Sequence, residues 1–269
     1  MNAESDKKGV PAEDIERIKA AAPLSPPVRP ARPRKLLVYS AAPMYYHTAI
    51  PWGVEAFRVL GEQTGAYSVL VCDDNSVFES ECLEQFDAVC FNNTCGSPFH
   101  DQTLRQNLLD FVHNGKGFVG IHCSAHTFVD WPPYGEMHGG YSLSHPWVDE
   151  TVTVKIEDPD HPCVTCFGQS LEIVDEIYEL TEPYSREKVR VLASLDTEKT
   201  DMNKADITRT DGDFALCWVR QYGKGRVFWS AFGHYENLYW DARVLQHYLA
   251  GIQFAFGDLA PDTTPSACR

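Results

Sequence analysis

From Lys35 onward, short runs of apolar residues alternate with longer segments in which apolar positions recur every three or four residues, as expected where strands and helices take turns. Residues 36–41 form the first such run and predict a strand. In residues 52–65, Val54, Phe57, Val59 and Leu60 share one side and Gly65 supplies the stop, so a helix is predicted there. Strands over residues 67–72 and 87–92 follow, then a helix over 101–114 and a buried strand over 117–122 that ends in the histidine segment. Residues 152–156, 189–195, 214–220 and 226–230 predict later strands, with a hairpin turn over 222–225 and a closing helix over 241–256. This alternation predicts an α/β fold, a mostly parallel sheet flanked by helices. Residues 127–146, dense in Gly, Pro, Trp and Tyr, show neither period and predict a long irregular stretch of the kind that carries function.

Composition sets the boundaries. Residues 1–35 hold six of the 17 prolines and eight of the 23 basic side chains, with a short helical patch near 12–22. They predict an extended arm, either free or draped over a second copy of the chain. Residues 36–258 form the domain, and residues 259–269 predict a loose tail. Without the arm, 15 basic residues face 33 acidic ones. A field of that sign excludes nucleic acid as a partner. No stretch approaches the roughly 18 consecutive apolar residues of a membrane span, and the N-terminus lacks the apolar segment of a secretory signal. Nine cysteines in no framework spacing suit a reducing compartment, so a cytoplasmic location is expected.

The candidate chemistry gathers just beyond the predicted strands, where open parallel sheets bind their ligands. His47 follows the first strand, Asn93 the third, His122 to His126 the fourth, and His234 the last. Neutral imidazole binds first-row metals, and its proton affinity lies near working pH. His47, His122, His126 and His234 are therefore the candidate ligands of a divalent ion, zinc or manganese, with His122 and His126 sharing a face if the chain turns into an α-helix. His145 and Glu176 are the candidates for moving a proton; Asp130, Asp213 and Glu236 are further carboxylates. Asn93, Trp131, Tyr134 and Trp240 would hold a sugar, whose C–H faces stack on aromatic rings. Cys123 beside the histidines offers a thiol nucleophile as a rival. Cys163 and Cys166 form a lone CxxC pair, a weak motif read as unpaired loop thiols.

These residues also carry a resemblance. Gly117-Phe-Val-Gly-Ile-His122, Trp131-Pro-Pro-Tyr134, Gly139-Gly-Tyr141, His145-Pro146, Asp175-Glu-Ile-Tyr178 and Tyr222-Gly-Lys-Gly-Arg-Val-Phe228 leading to Gly233-His234 resemble, in that order, the ThuA-like trehalose-utilisation family. The resemblance implies a flavodoxin-like sheet of the class I glutamine amidotransferase type, with His122 at the position where amidotransferases keep their cysteine. It also implies breakdown of glycosides through 3-keto sugars, as cleavage or isomerisation, beside an oxidoreductase that makes the ketone. A non-catalytic carbohydrate-binding or regulatory module on the same fold is the alternative from another class.

Overall fold

The computed structural model describes residues 9–268. Its first half runs α1 (Ala12–Ala21), β1 (Lys35–Tyr39), α2 (Ile50–Thr64), β2 (Ser68–Val71), α3 (Ser80–Leu83), β3 (Ala88–Asn92), α4 (Gln102–His113), β4 (Gly117–Ile121) and α5 (Pro132–His138). The second half is rich in strands: β5 (Tyr141–Trp147), β6 (Thr151–Ile156), β7 (Ser170–Val174), β8 (Ile177–Thr181), β9 (Arg190–Leu195), β10 (Ala215–Tyr222) and β11 (Gly225–Ser230), before α6 (Ala242–Phe256). Local chemistry sets the helix ends. Asp101 accepts from the Thr103 and Leu104 amides to start α4, Asp241 accepts from the Arg243 amide to start α6, and Gly65 closes α2 in a left-handed conformation.

Nine strands form one sheet in the order β2-β1-β3-β4-β11-β10-β9-β6-β7. The first five are mutually parallel, and their order is that of a flavodoxin-like sheet. The extension from β10 to β7 is antiparallel throughout. Side chains alternate across the parallel half: Leu36 and Val38 pack beneath α2 and α6, while Leu37 and Tyr39 pack with α4 and Phe118 on the other face. Apart from the edge strand β2, both faces are buried, which explains the continuous apolar runs of these strands.

Three expectations change. Residues 127–146 are not irregular: Pro132 and Pro133 occupy the first turn of α5, Gly139 ends it at φ 112°, and β5 then pairs with β8 as a separate two-stranded ribbon. The arm is not free along its described part. Ile18 is fully buried, Trp52 Nε1 donates to Asp14, and the Val28 backbone pairs with the Gln253 amide. Nor is the tail loose, since the Ser266 and Ala267 amides donate to the Val189 and Arg186 carbonyls.

Arg34 ties the arm's end to the domain. Its guanidinium meets Asp258 at 2.5 Å, and both side chains are nearly excluded from water. Removing one partner of such a pair strands a buried charge. Arg34→Ala is expected to lower unfolding free energy by about 3 kcal/mol, read from urea denaturation; a loss below about 1 kcal/mol would mean that the pair is solvent-screened.

Candidate metal centre

Three of the five parallel strands deliver a histidine beyond their carboxyl ends. His47 lies in the loop after β1, His122 directly follows β4, and His234 lies four residues past β11. His122 sits at φ 48°, the strained backbone of a strand-to-helix elbow. Gly120 makes the elbow close-packed, because a Cβ there would come 2.6 Å from Ser124 Oγ and 3.0 Å from the Trp229 ring.

The three rings form a triangle with centroids 5.0, 5.1 and 5.3 Å apart. Glu176, from the short turn between β7 and β8, completes the group, and one ligand atom from each of the four residues lies within 4.8 Å of all the others. Its Oε2 is 3.1 Å from His122 Nε2 and 3.3 Å from His234 Nδ1. Ligands of a tetrahedral ion at about 2.1 Å stand roughly 3.4 Å from one another, so these two spacings suit a common ion. His122 Nδ1 is 2.6 Å from the Ala231 carbonyl, which can only accept, so Nδ1 carries a proton and Nε2, turned toward Glu176, is the atom left to bind an ion.

The residues fit a divalent ion on their own evidence. His47 Nδ1 and His234 Nδ1 are buried with no hydrogen-bond partner among the described residues, the 3.3 Å contact of the latter to Glu176 being out of line for one. Burial, helped by the neighbouring imidazoles, pushes His47 down to about 2, which leaves it a neutral donor. Burial alone would raise Glu176, but the hydrogen bond from His122 and the charge of His122 and His234 outweigh it and hold the carboxylate far below its usual range. Three imidazoles and one carboxylate suit zinc or manganese.

Outward from this group opens a cavity of about 380 Å³, lined among others by Met44, Tyr45, Cys95, His126, Leu143 and His145. His145, on β5, is 61% exposed at its side chain and places Nδ1 3.4 Å from Glu176 Oε1. Met44, Tyr45 and Leu143 are the exposed apolar residues of the wall. Sequence reading missed Met44 and Leu143 because solvated apolar residues in loops have no periodicity to betray them.

Several expected roles do not match the geometry. His126 is outside the four-residue group; its Nδ1 lies 3.0 Å from Ser142 Oγ. The segment His122–His126 is a 3-10 turn, in which positions four apart are rotated by about 120° rather than sharing a face. Tyr134 is fully buried with its hydroxyl donating to the Ser124 carbonyl; Trp131 packs on Phe128 under Arg105, and Trp240 lies beneath Arg17. None of the three lines the cavity. Asn93 is also buried and donates to the Gly233 carbonyl and Tyr239 hydroxyl, so it supports the His234 loop rather than meeting a ligand. Cys123 lines the cavity, but its neighbour Cys95 and burial push the thiol well above its ordinary range, away from the thiolate a nucleophile needs. Cys163 and Cys166 are free thiols, the latter pushed by burial up to about 12. Asp130 and Asp213 pair with Arg105 and Arg186, and Glu236 with Thr48.

His126→Ala is accordingly expected to leave metal stoichiometry unchanged and apparent affinity within about threefold, measured by competition with a chromogenic chelator; loss of the ion would return His126 to the ligand set.

Fold and site together define an α/β protein with a flavodoxin-like parallel core and a histidine-rich cavity at the carboxyl ends of its strands. The chain belongs to the ThuA family, described as trehalose utilisation, whose profile matches residues 35–255, and so to a carbohydrate-related family. Among solved structures it is similar to a ThuA-like protein of Bacteroides uniformis, at 22% identity and TM-score 0.70 over 85% of this chain and 94% of that one. A ThuA-like protein of Parabacteroides merdae matches at 16% identity and TM-score 0.62, over 86% and 93%. A Salmonella typhimurium LT2 protein described as cytoplasmic matches at 14% and 0.58, over 82% and 98%. At these identities the likeness is one of fold. No curated protein gives a significant sequence match. Among the described residues, no helix is long and apolar enough to cross a membrane.

Proposed function

We propose that this chain is a metal-dependent, carbohydrate-active enzyme that cleaves 3-keto glycosides by elimination and rehydration, a net hydrolysis, or isomerises them. The observation that carries the reading is the convergence of His47, His122, His234 and Glu176 at the inner end of a cavity open to a small molecule. Membership in a trehalose-utilisation family supplies the substrate class.

A ketone at C3 acidifies the proton on C2; once a base removes it, the group at C1 leaves with the bonding electrons, and water then adds across the double bond. A bound divalent ion would supply Lewis-acid polarisation of the ketone oxygen. His145 is the base in this scheme. It faces the cavity, and Glu176 Oε1 at 3.4 Å stabilises the imidazolium formed when the proton arrives. Glu176, held ionised so firmly, is too weak a base for that step and acts as ligand and orienting partner instead. The ketone implies an upstream sugar oxidoreductase, and the free thiols suit a cytoplasmic setting.

Elemental analysis of purified protein, paired with an assay on a 3-keto glucoside, tests the reading. One zinc or manganese per chain and metal-dependent release of the aglycone are expected, with Cys123→Ala retaining at least about half of the activity. Ligand binding without turnover or metal would establish the non-catalytic module, and loss of turnover in Cys123→Ala the thiol hydrolase.

A further inference from the structure

Tyr178 is a cavity residue with no role in the scheme above. It lies two residues beyond Glu176, its ring stacks on His122 with centroids 4.7 Å apart and planes 24° from parallel, and only 3% of it is exposed. Its hydroxyl is 2.7 Å from His122 Nε2. The same Nε2 lies 3.1 Å from Glu176 Oε2, so the hydroxyl and the carboxylate share this nitrogen.

One lone pair serves one partner. The nitrogen that pairs with Tyr178 is the nitrogen His122 turns toward Glu176 in the four-residue group. An ion coordinated there takes this partner from the hydroxyl, which then has Glu176, Cys123 and the cavity within its reach. The cavity is the side from which a replacement can come, and a substrate oxygen gaining negative charge is the strongest acceptor that would enter it.

We propose that Tyr178 is a catalytic hydrogen-bond donor whose hydroxyl caps His122 Nε2 in the ion-free protein and is released to a substrate oxygen when that nitrogen coordinates. The inference rests on the reading of His47, His122, His234 and Glu176 as an ion site.

Tyr178→Phe keeps the ring that stacks on His122 and deletes only the hydroxyl. Zinc affinity is measured by chelator competition, and turnover on p-nitrophenyl 3-keto-glucoside by release of nitrophenolate. The variant is expected to bind one zinc per chain about threefold to tenfold more tightly than wild type, the worth of one competing hydrogen bond. Its kcat is expected to fall about 10²–10³-fold with KM changed less than about threefold, the signature of a donor acting on developing charge. Weaker or equal zinc binding would overturn the capping role and make the hydroxyl a ligand or a prop for Glu176. Unchanged kcat in the zinc-loaded variant would overturn the catalytic role. If wild type binds zinc but does not turn over the 3-keto glucoside, the substrate reading fails, and the zinc competition alone then decides the capping role of Tyr178.

Discussion

His122→Ala is expected to remove both the ion and the activity while leaving a folded protein. The imidazole is held by two features that the rest of the site does not share: the elbow at φ 48° and the Nδ1 bond to the Ala231 carbonyl. Together they aim Nε2 at Glu176 Oε2, 3.1 Å away. Loss of a partner outside the ligand shell already costs about 10–100-fold in metal affinity, so loss of this ligand is expected to exceed about 100-fold. Turnover is expected to fall by about 10³-fold or more, the scale of a missing Lewis acid. Folding should suffer less. Alanine meets the same backbone strain as histidine, and the Ala231 carbonyl is left without its donor, a cost of about 1–3 kcal/mol. Chelator competition, steady-state assay and urea denaturation read the three quantities. Retained metal with full activity would remove His122 from the site altogether.

The parallel half of the fold was legible because its inner strands are buried on both faces and α4 and α6 carry aspartate caps. Runs such as Leu36-Leu37-Val38 and Phe118-Val119 can be little else, and Asp101 and Asp241 mark helix starts to within a residue. The ribbon of β5 and β8 was not legible. Its register is irregular at Ser142 to Trp147, and half of β5 faces solvent, so it has neither a clean alternation nor an apolar run. The positions of His47, His122 and His234 beyond strand ends followed from the topology of any open parallel sheet. Glu176 could be singled out as a chemical candidate but not as a neighbour of those rings, since it is brought there by the turn from β7, at the edge of the large sheet, into β8 of the separate ribbon. His126 shows the opposite failure. A spacing of four suggests a shared face only in an α-helix, and the sequence does not disclose that the turn is 3-10. The aromatic residues were over-read as well, because Trp131, Tyr134 and Trp240 are consumed by packing.

Asp175 links the two segments that supply His234 and Glu176, and its removal should separate stability from metal binding least of all the changes considered. The carboxylate is fully buried, and burial pushes it up to about 6 despite the amides it accepts from. Its Oδ2 accepts from the Gly233 amide at 2.9 Å and its Oδ1 from the His234 amide at 3.1 Å. Gly233 itself stands at φ 135°, and its carbonyl is bracketed by the Asn93 amide and the Tyr239 hydroxyl, each at 3.1 Å. The loop that aims His234 is thus fastened from both sides, and Asp175 fastens it to the residue next to Glu176. Asp175→Ala leaves two buried N–H groups unsatisfied, each worth about 1–3 kcal/mol, so a loss of about 2–5 kcal/mol in metal-free unfolding is expected. Metal affinity should fall about 10–100-fold with it, as the ring and the carboxylate lose their common anchor. Asp175→Asn is a sharper probe, since its amide oxygen can satisfy only one N–H while its NH₂ opposes the other; it should lie between wild type and alanine in both measurements. Stability that falls while metal affinity holds would show that His234 keeps its aim without Asp175, leaving the Asn93 and Tyr239 bracket as the feature that positions it.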